Sequence, residues 1–105
     1  MNAIRISIIA FADDGFPGWV ECEMVDADGA VHQFVEKVSV VSNEYLQHDS
    51  EYPRDGTIAC GVKSNWTDDL GRDLSRVDTS QPWGIESKAG ITEFVVFSNC
   101  IHQIE

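Results

Sequence analysis

The sequence predicts an all-β fold, a small antiparallel β-barrel of six or seven strands, with a two-sheet β-sandwich as the alternative arrangement of the same strands. Three observations predict it. Apolar and polar residues alternate in short stretches, which is the period of a half-buried strand. Asp and Gly, which favour turns, recur between those stretches, as in Asp26, Asp28 and Gly29 and again in Asp68, Asp69 and Gly71. Apolar residues rarely repeat at the three-and-four spacing of an amphipathic helix, and Gly, Asp and Ser interrupt every candidate window, so no helix is expected.

Taken in order, the first strand is the N-terminal alternation of Ile6, Ile8, Ile9 and Phe11. Arg5 before this stretch mimics the charged start of a signal peptide, but the apolar part is short and no small-residue cleavage site follows. Residues 19–25 place Val20, Cys22 and Met24 on one face, pointing inward, and Glu21 and Glu23 on the other. Asp26 to Gly29 then turn the chain, and a β-branched run over residues 31–41 completes a hairpin. A second hairpin rises through residues 57–62 and Trp66, turns at Asp68 to Gly71, and returns over residues 74–79. Pro82 precedes a short strand over residues 83–87. Gly90 introduces the last strand, residues 91–97, where Phe94 and Val96 oppose Val95 and Phe97 and both faces should be covered. Closure into a barrel would remove exposed strand edges.

Length and composition set further bounds. A chain of 105 residues with 43% hydrophobic content is the size of one domain and can bury one core unaided, and no composition break marks a linker. Its longest apolar run, Ile8 to Ala12, meets Asp13 and Asp14 and falls far short of the roughly 18 residues of a membrane span. Cys22, Cys60 and Cys100 are odd in number, widely spaced and set in apolar alternating segments, which predicts buried thiols and a reducing, cytoplasmic setting. The 18 acidic residues, spread from Asp13 to Glu105, outnumber 7 basic ones for a net charge of −11. Such a field repels polyanions, so nucleic acid is not the expected partner, whereas a basic protein is favoured.

The familiar catalytic and metal motifs are missing. Asp26, Asp28 and Gly29 resemble half a calcium loop, but Ala30 and Lys37 stand where two more oxygen ligands are needed. His32, His48 and His102 do not combine with the three cysteines at the paired short spacings of a zinc site; Cys100 and His102 are the nearest approach. There is no nucleophile elbow and no phosphate-cradling glycine loop, and the acid pairs Asp13–Asp14 and Asp68–Asp69 sit beside turns, where they serve solubility. No metal or cofactor is therefore expected.

The most informative stretch is residues 42–56, too long for a tight turn and without strand alternation, and long loops in small domains are often functional. It carries Tyr45, His48, Asp49, Glu51 and Tyr52 together with Glu44 and Asp55, aromatic bodies with polar tips among carboxylates, a mixture suited to gripping a basic partner. The alternative is a crossover that plugs one barrel end with Tyr45 and Leu46. Trp19, Trp66 and Trp83 lie near predicted strand ends, and the stiff Pro82 backbone suits Trp83 to presenting its ring as an anchor.

The pieces FPGWVECE (residues 16–23), FVEKV (34–38) and VDTSQPWGIES (77–87) resemble a group of short bacterial proteins with no established activity, which implies a bacterial origin. In outline the chain is also similar to the six-stranded barrel that forms domain 2 of elongation factor Tu, a likeness of architecture that carries over no functional residue. The expectation is a non-catalytic protein-binding module, monomeric or homodimeric, that uses the Tyr45 to Tyr52 loop and Trp83. An immunity-type protein that neutralises a basic toxin fits its size and acidity. The rival expectation is a small enzyme or ligand-binding barrel in which His48, Asp49, Cys60, Arg72 and Arg76 converge on one open end.

Overall fold

In the computed structural model, which describes residues 1–13 and 18–104, the chain runs β1 (Asn2–Asp13), β2 (Trp19–Val25), β3 (Val31–Lys37), α1 (Val38–Val41), β4 (Arg54–Thr67), β5 (Asp73–Asp78), β6 (Glu93–Phe97) and β7 (Ile101–Gln103). Asp14, Phe16, Pro17 and Glu105, used above in the acid and resemblance readings, lie outside the described residues. The seven strands form one antiparallel sheet in the order β3-β2-β1-β4-β5-β6, with β7 added on β1. The sheet is curled into a half-barrel, so the all-β prediction holds in its barrel form.

Two long strands make the curl. β1 pairs along one edge with β4, from Asn2 opposite Cys60 to Ile8 opposite Arg54. Its other edge is shared, with β7 opposite residues 2–4 and β2 opposite residues 7–13. Bulges between Ile8 and Ala10 and between Phe11 and Asp13 add local twist. β4 outruns β1 and continues from Gly61 to Thr67 as the partner of β5. The sheet thereby carries β6 round to face β3, where Phe34 and Phe94 pack at 5.8 Å and His32 meets Phe94 edge-on at 4.8 Å. Backbone bonds from Ala27 N–H to Val95 C=O (2.8 Å) and from Lys88 N–H to Gln33 C=O (2.7 Å) join the two ends where no ladder closes them.

The interior is largely apolar, with Ser75 and Thr79 also buried. Val20, Cys22 and Met24 point inward as their alternation predicts, beside Ile4, Ile6 and Ile8 of β1, Ile58 and Cys60 of β4, Val77 of β5, and Phe94 and Val96 of β6. Each large side chain buried in this way contributes about 1.5–3 kcal/mol. Phe97 remains 37% exposed, so β6 is fully covered on one face and not on both as expected.

Three turns use one device. Asp26 Oδ1 accepts the N–H groups of Asp28 and Ala30, and Gly29 takes φ +85°. Asp68 Oδ1 accepts those of Leu70 and Arg72, and Gly71 takes φ +77°. At Ser87 a hydroxyl replaces the carboxylate and accepts Ile91 N–H, with Gly90 at φ +80°. A turn over residues 79–83 and irregular chain over 84–87, leading into this third turn, occupy the place of the strand predicted over residues 83–87. Pro82 has no N–H to give a ladder, and Thr79 Oγ1 donates back to the Ile85 carbonyl at 2.8 Å, folding the segment on itself.

Two further corrections concern short elements. The run predicted as strand to Val41 stops at Lys37 and becomes a single helical turn, which sets both Val38 and Val41 into the barrel end where a strand would alternate them. β7, three residues long, carries too little pattern to be read from sequence.

The acidic turns make stability depend on pH. Burial pulls the Asp26 pKa up, but the His32 imidazole (2.8 Å) and the Ala30 and Asp28 N–H groups outweigh it and hold it below the usual range. The Arg72 N–H chiefly lowers Asp68. A carboxyl depressed in the folded state stabilises above its unfolded pKa of about 4, and that contribution is lost as pH falls through the folded value. The melting temperature is therefore expected to drop as pH falls below about 4, and less steeply in an Asp26→Asn, Asp68→Asn double variant that is already weaker at pH 7. Parallel acid limbs in the two proteins would refute this.

Candidate functional site

An open concavity lies outside the barrel, on the outer face of β1 and β4. Register puts Arg5 opposite Thr57, Ser7 opposite Asp55, and Ala3 opposite His102, so Arg5, Thr57, Asp55 and His102 share the face away from Ile4, Ile6 and Ile8. They form the floor of an open cleft of about 560 Å³, within the range of ligand sites. One wall is built by residues 39–44, from α1 and the start of the long loop; Trp83 and Ile104 supply the others. Trp83, 49% exposed, is held there by the fold-back that Thr79 anchors.

Arg5 is the distinctive group. Its Nη2 donates to His102 Nε2 at 2.8 Å. A guanidinium has only donors, so in this bond the His102 ring nitrogen is the acceptor. Glu44 on the wall is taken by Arg54.

The loop residues predicted as a site divide into anchors and exposed groups. Leu46 is buried and Tyr52 half-buried, its hydroxyl donating to the Gln47 carbonyl at 2.6 Å. These two plug the barrel end; Tyr45, expected to help Leu46, instead points outward at 79% exposure. His48, Asp49 and Glu51 are exposed beside it. The structure brings Trp83 to the base of this loop, Ser42 to Glu44, while Tyr45 to Tyr52 do not line the cleft. Arg5, Thr57 and His102 were missed because β1, β4 and β7 meet only in the folded sheet. The one available signal was the outward place of Arg5 between Ile4 and Ile6.

The residues proposed for a small enzyme do not converge. Cys60 faces the core, Arg72 sits at the tip of the β4–β5 hairpin, Arg76 is on the outer face of β5, and His48 and Asp49 are on the loop. Burial pushes the Cys60 thiol up to about 11, and burial with the Glu36 charge pushes Cys22 up to about 12, so neither is a thiolate at neutral pH. All three cysteines are free, and Cys100 is only partly buried, against the expectation of three buried thiols. Native protein at pH 8 is expected to take up one equivalent of iodoacetamide, at Cys100, with Cys22 and Cys60 labelled only on denaturation. Rapid labelling of Cys60 in the native state would contradict the filled core. Among the described residues no cluster of three or more His, Cys, Asp or Glu is placed to hold a metal ion, and no helix is long and apolar enough to cross a membrane.

Compared with family models, curated proteins and solved structures, the chain finds no match in any of the three. The architectural likeness to domain 2 of elongation factor Tu therefore gains no support from a relative.

Proposed function

We propose that this protein is a non-catalytic binding module that docks a basic protein across the long loop and the adjoining cleft. One observation carries the reading: an aromatic anchor, Trp83, and the base of an acidic loop line the same open cleft, on the outside of a barrel whose interior is filled. Exposed Asp49, Glu51 and Asp55 offer carboxylates to incoming Lys or Arg side chains, and Tyr45 and Trp83 offer rings over which a cation can rest. Their loop is held in place by Leu46, Tyr52 and the Arg54–Glu44 pair, so little ordering remains to oppose binding.

The test is affinity capture from native lysate at low and moderate salt, with mass spectrometry of what is retained. A stoichiometric basic protein should be held at low salt and released as salt rises. A Tyr45→Ser, Asp49→Asn, Trp83→Ala variant should lose it with an unchanged melting temperature, since all three side chains are exposed. Retention of the partner by that variant would refute the assignment.

A further inference from the structure

Docking by the acidic loop leaves Arg5, on the floor of the cleft, without a role. Among the described residues Arg54 stands beside Glu44, Arg72 beside Asp68 and Lys63 beside Glu93, whereas no ion pair joins Arg5, Arg76 or Lys88 to a carboxylate. Of these three, Arg5 is the one that lines the cleft. Its hydrogen-bond partner is the His102 imidazole. Such a partner orients the guanidinium without cancelling its charge, and it engages one of five N–H donors, leaving the rest for a planar oxyanion. Thr57, directly across the strand pair, places a hydroxyl on the same face. Trp83, Val40 and Ile104 add aromatic and apolar surface to the same cleft.

We propose that Arg5, positioned by His102 and flanked by Thr57, binds a monoanionic carboxylate whose apolar or aromatic body rests against Trp83. A dianionic phosphate is disfavoured, because Asp55 and Glu44 line the same cleft and the chain carries a net charge of −11. Two sources present this chemistry, a small organic acid and the C-terminus of a peptide chain. The inference rests on the reading of the cleft as a binding site, and not on its occupant being a protein.

The experiment titrates the whole protein with benzoate, with N-acetyl-glycyl-phenylalanine and with the amides of both, following the Arg5 side-chain and Trp83 indole N–H signals by NMR. Saturable shifts are expected with the acids and none with the amides. Tighter binding of the peptide assigns a chain terminus; tighter binding of benzoate assigns a small acid. Arg5→Gln should weaken binding about ten- to hundredfold. Arg76→Gln, an exposed arginine elsewhere, should leave it unchanged, and Asp55→Asn should tighten it. The role of His102 separates cleanly: His102→Gln keeps an acceptor for Arg5 and retains binding, whereas His102→Asp holds Arg5 equally well but cancels its charge and abolishes binding. Absence of saturation with both acids, equal binding of the amides, tighter binding of phenyl phosphate, or indifference to Arg5→Gln would overturn the proposal. Failure here with partner capture intact sinks this inference alone, and the converse sinks only the protein-docking reading.

Discussion

Replacing Phe34 by alanine is expected to lower stability by about 3–5 kcal/mol, a large fraction of the roughly 5–15 kcal/mol that holds a domain of this size together. Phe34 is 1% exposed and lies at the one place where the curled sheet meets itself without a ladder, packed on Phe94 of β6. Among the described residues, the ring contacts on Phe94 join β3 to β6 there, with one backbone bond from the β2–β3 turn (Ala27) to β6 and one from the loop before β6 (Lys88) to β3. Truncation removes the ring contact and leaves a cavity that neighbouring strands can collapse into only partly. Urea denaturation monitored by tryptophan fluorescence measures the loss directly. Val31→Ala, in the same strand but 54% exposed, should change stability by no more than about 0.5 kcal/mol. Equal costs for the two substitutions would mean that β3 and β6 do not meet.

The second large effect is expected at Gly56, where stability and the site are coupled. Gly56 lies opposite Ile6 on the inner face of β4, under the end of α1. A Cβ at this position would come within 2.8 Å of both the Val41 carbonyl oxygen and Ile8 Cδ1. The Ile8 methyl can swing aside, but the backbone oxygen moves only if α1 lifts, and α1 begins the wall formed by residues 39–44. Gly56→Val should therefore cost about 1–3 kcal/mol through overpacking, and should also weaken partner capture by displacing that wall. Gly61→Ala is the control on the same strand, since its added Cβ meets nothing nearer than 3.6 Å. Thermal melts of the two variants should differ by several degrees, and a Gly56→Val protein as stable as Gly61→Ala would show that α1 does not rest on β4.

These two positions also show what was legible in advance. Alternation places Val20, Cys22 and Met24 in the core because a half-buried strand imposes a period of two on its own residues. The Asp-to-Gly turns are equally local, since an Asp carboxylate and a positive φ at Gly suffice to make them. Val38 to Val41 reads as strand because three of its four residues are β-branched, and becomes helical because the barrel end needs two valines on one side, a demand set by the rest of the fold. Ser87 does with a hydroxyl what Asp26 and Asp68 do with a carboxylate, so the third turn hides behind a different residue type.

The site divides along the same line. Residues 42–56 and Trp83 were identifiable as unusual on their own chemistry, and the cleft does join the base of that loop to Trp83. Arg5 and His102 lie 97 positions apart and become neighbours only through β1–β7 pairing, so no local pattern announces them. Tyr52 misleads for a related reason: its ring is used as an anchor against the core, which sequence cannot distinguish from a ring offered to a partner.

Docking on the acidic loop and its cleft is read out by amide hydrogen exchange on the complex with the basic protein retained from native lysate. Slowed exchange is expected over residues 39–51, 55–57 and 83–84, with the tip of the β4–β5 hairpin around Leu70 unchanged. Protection centred on Trp66, Leu70 and Phe97, the exposed apolar residues of the opposite sheet end, would contradict it.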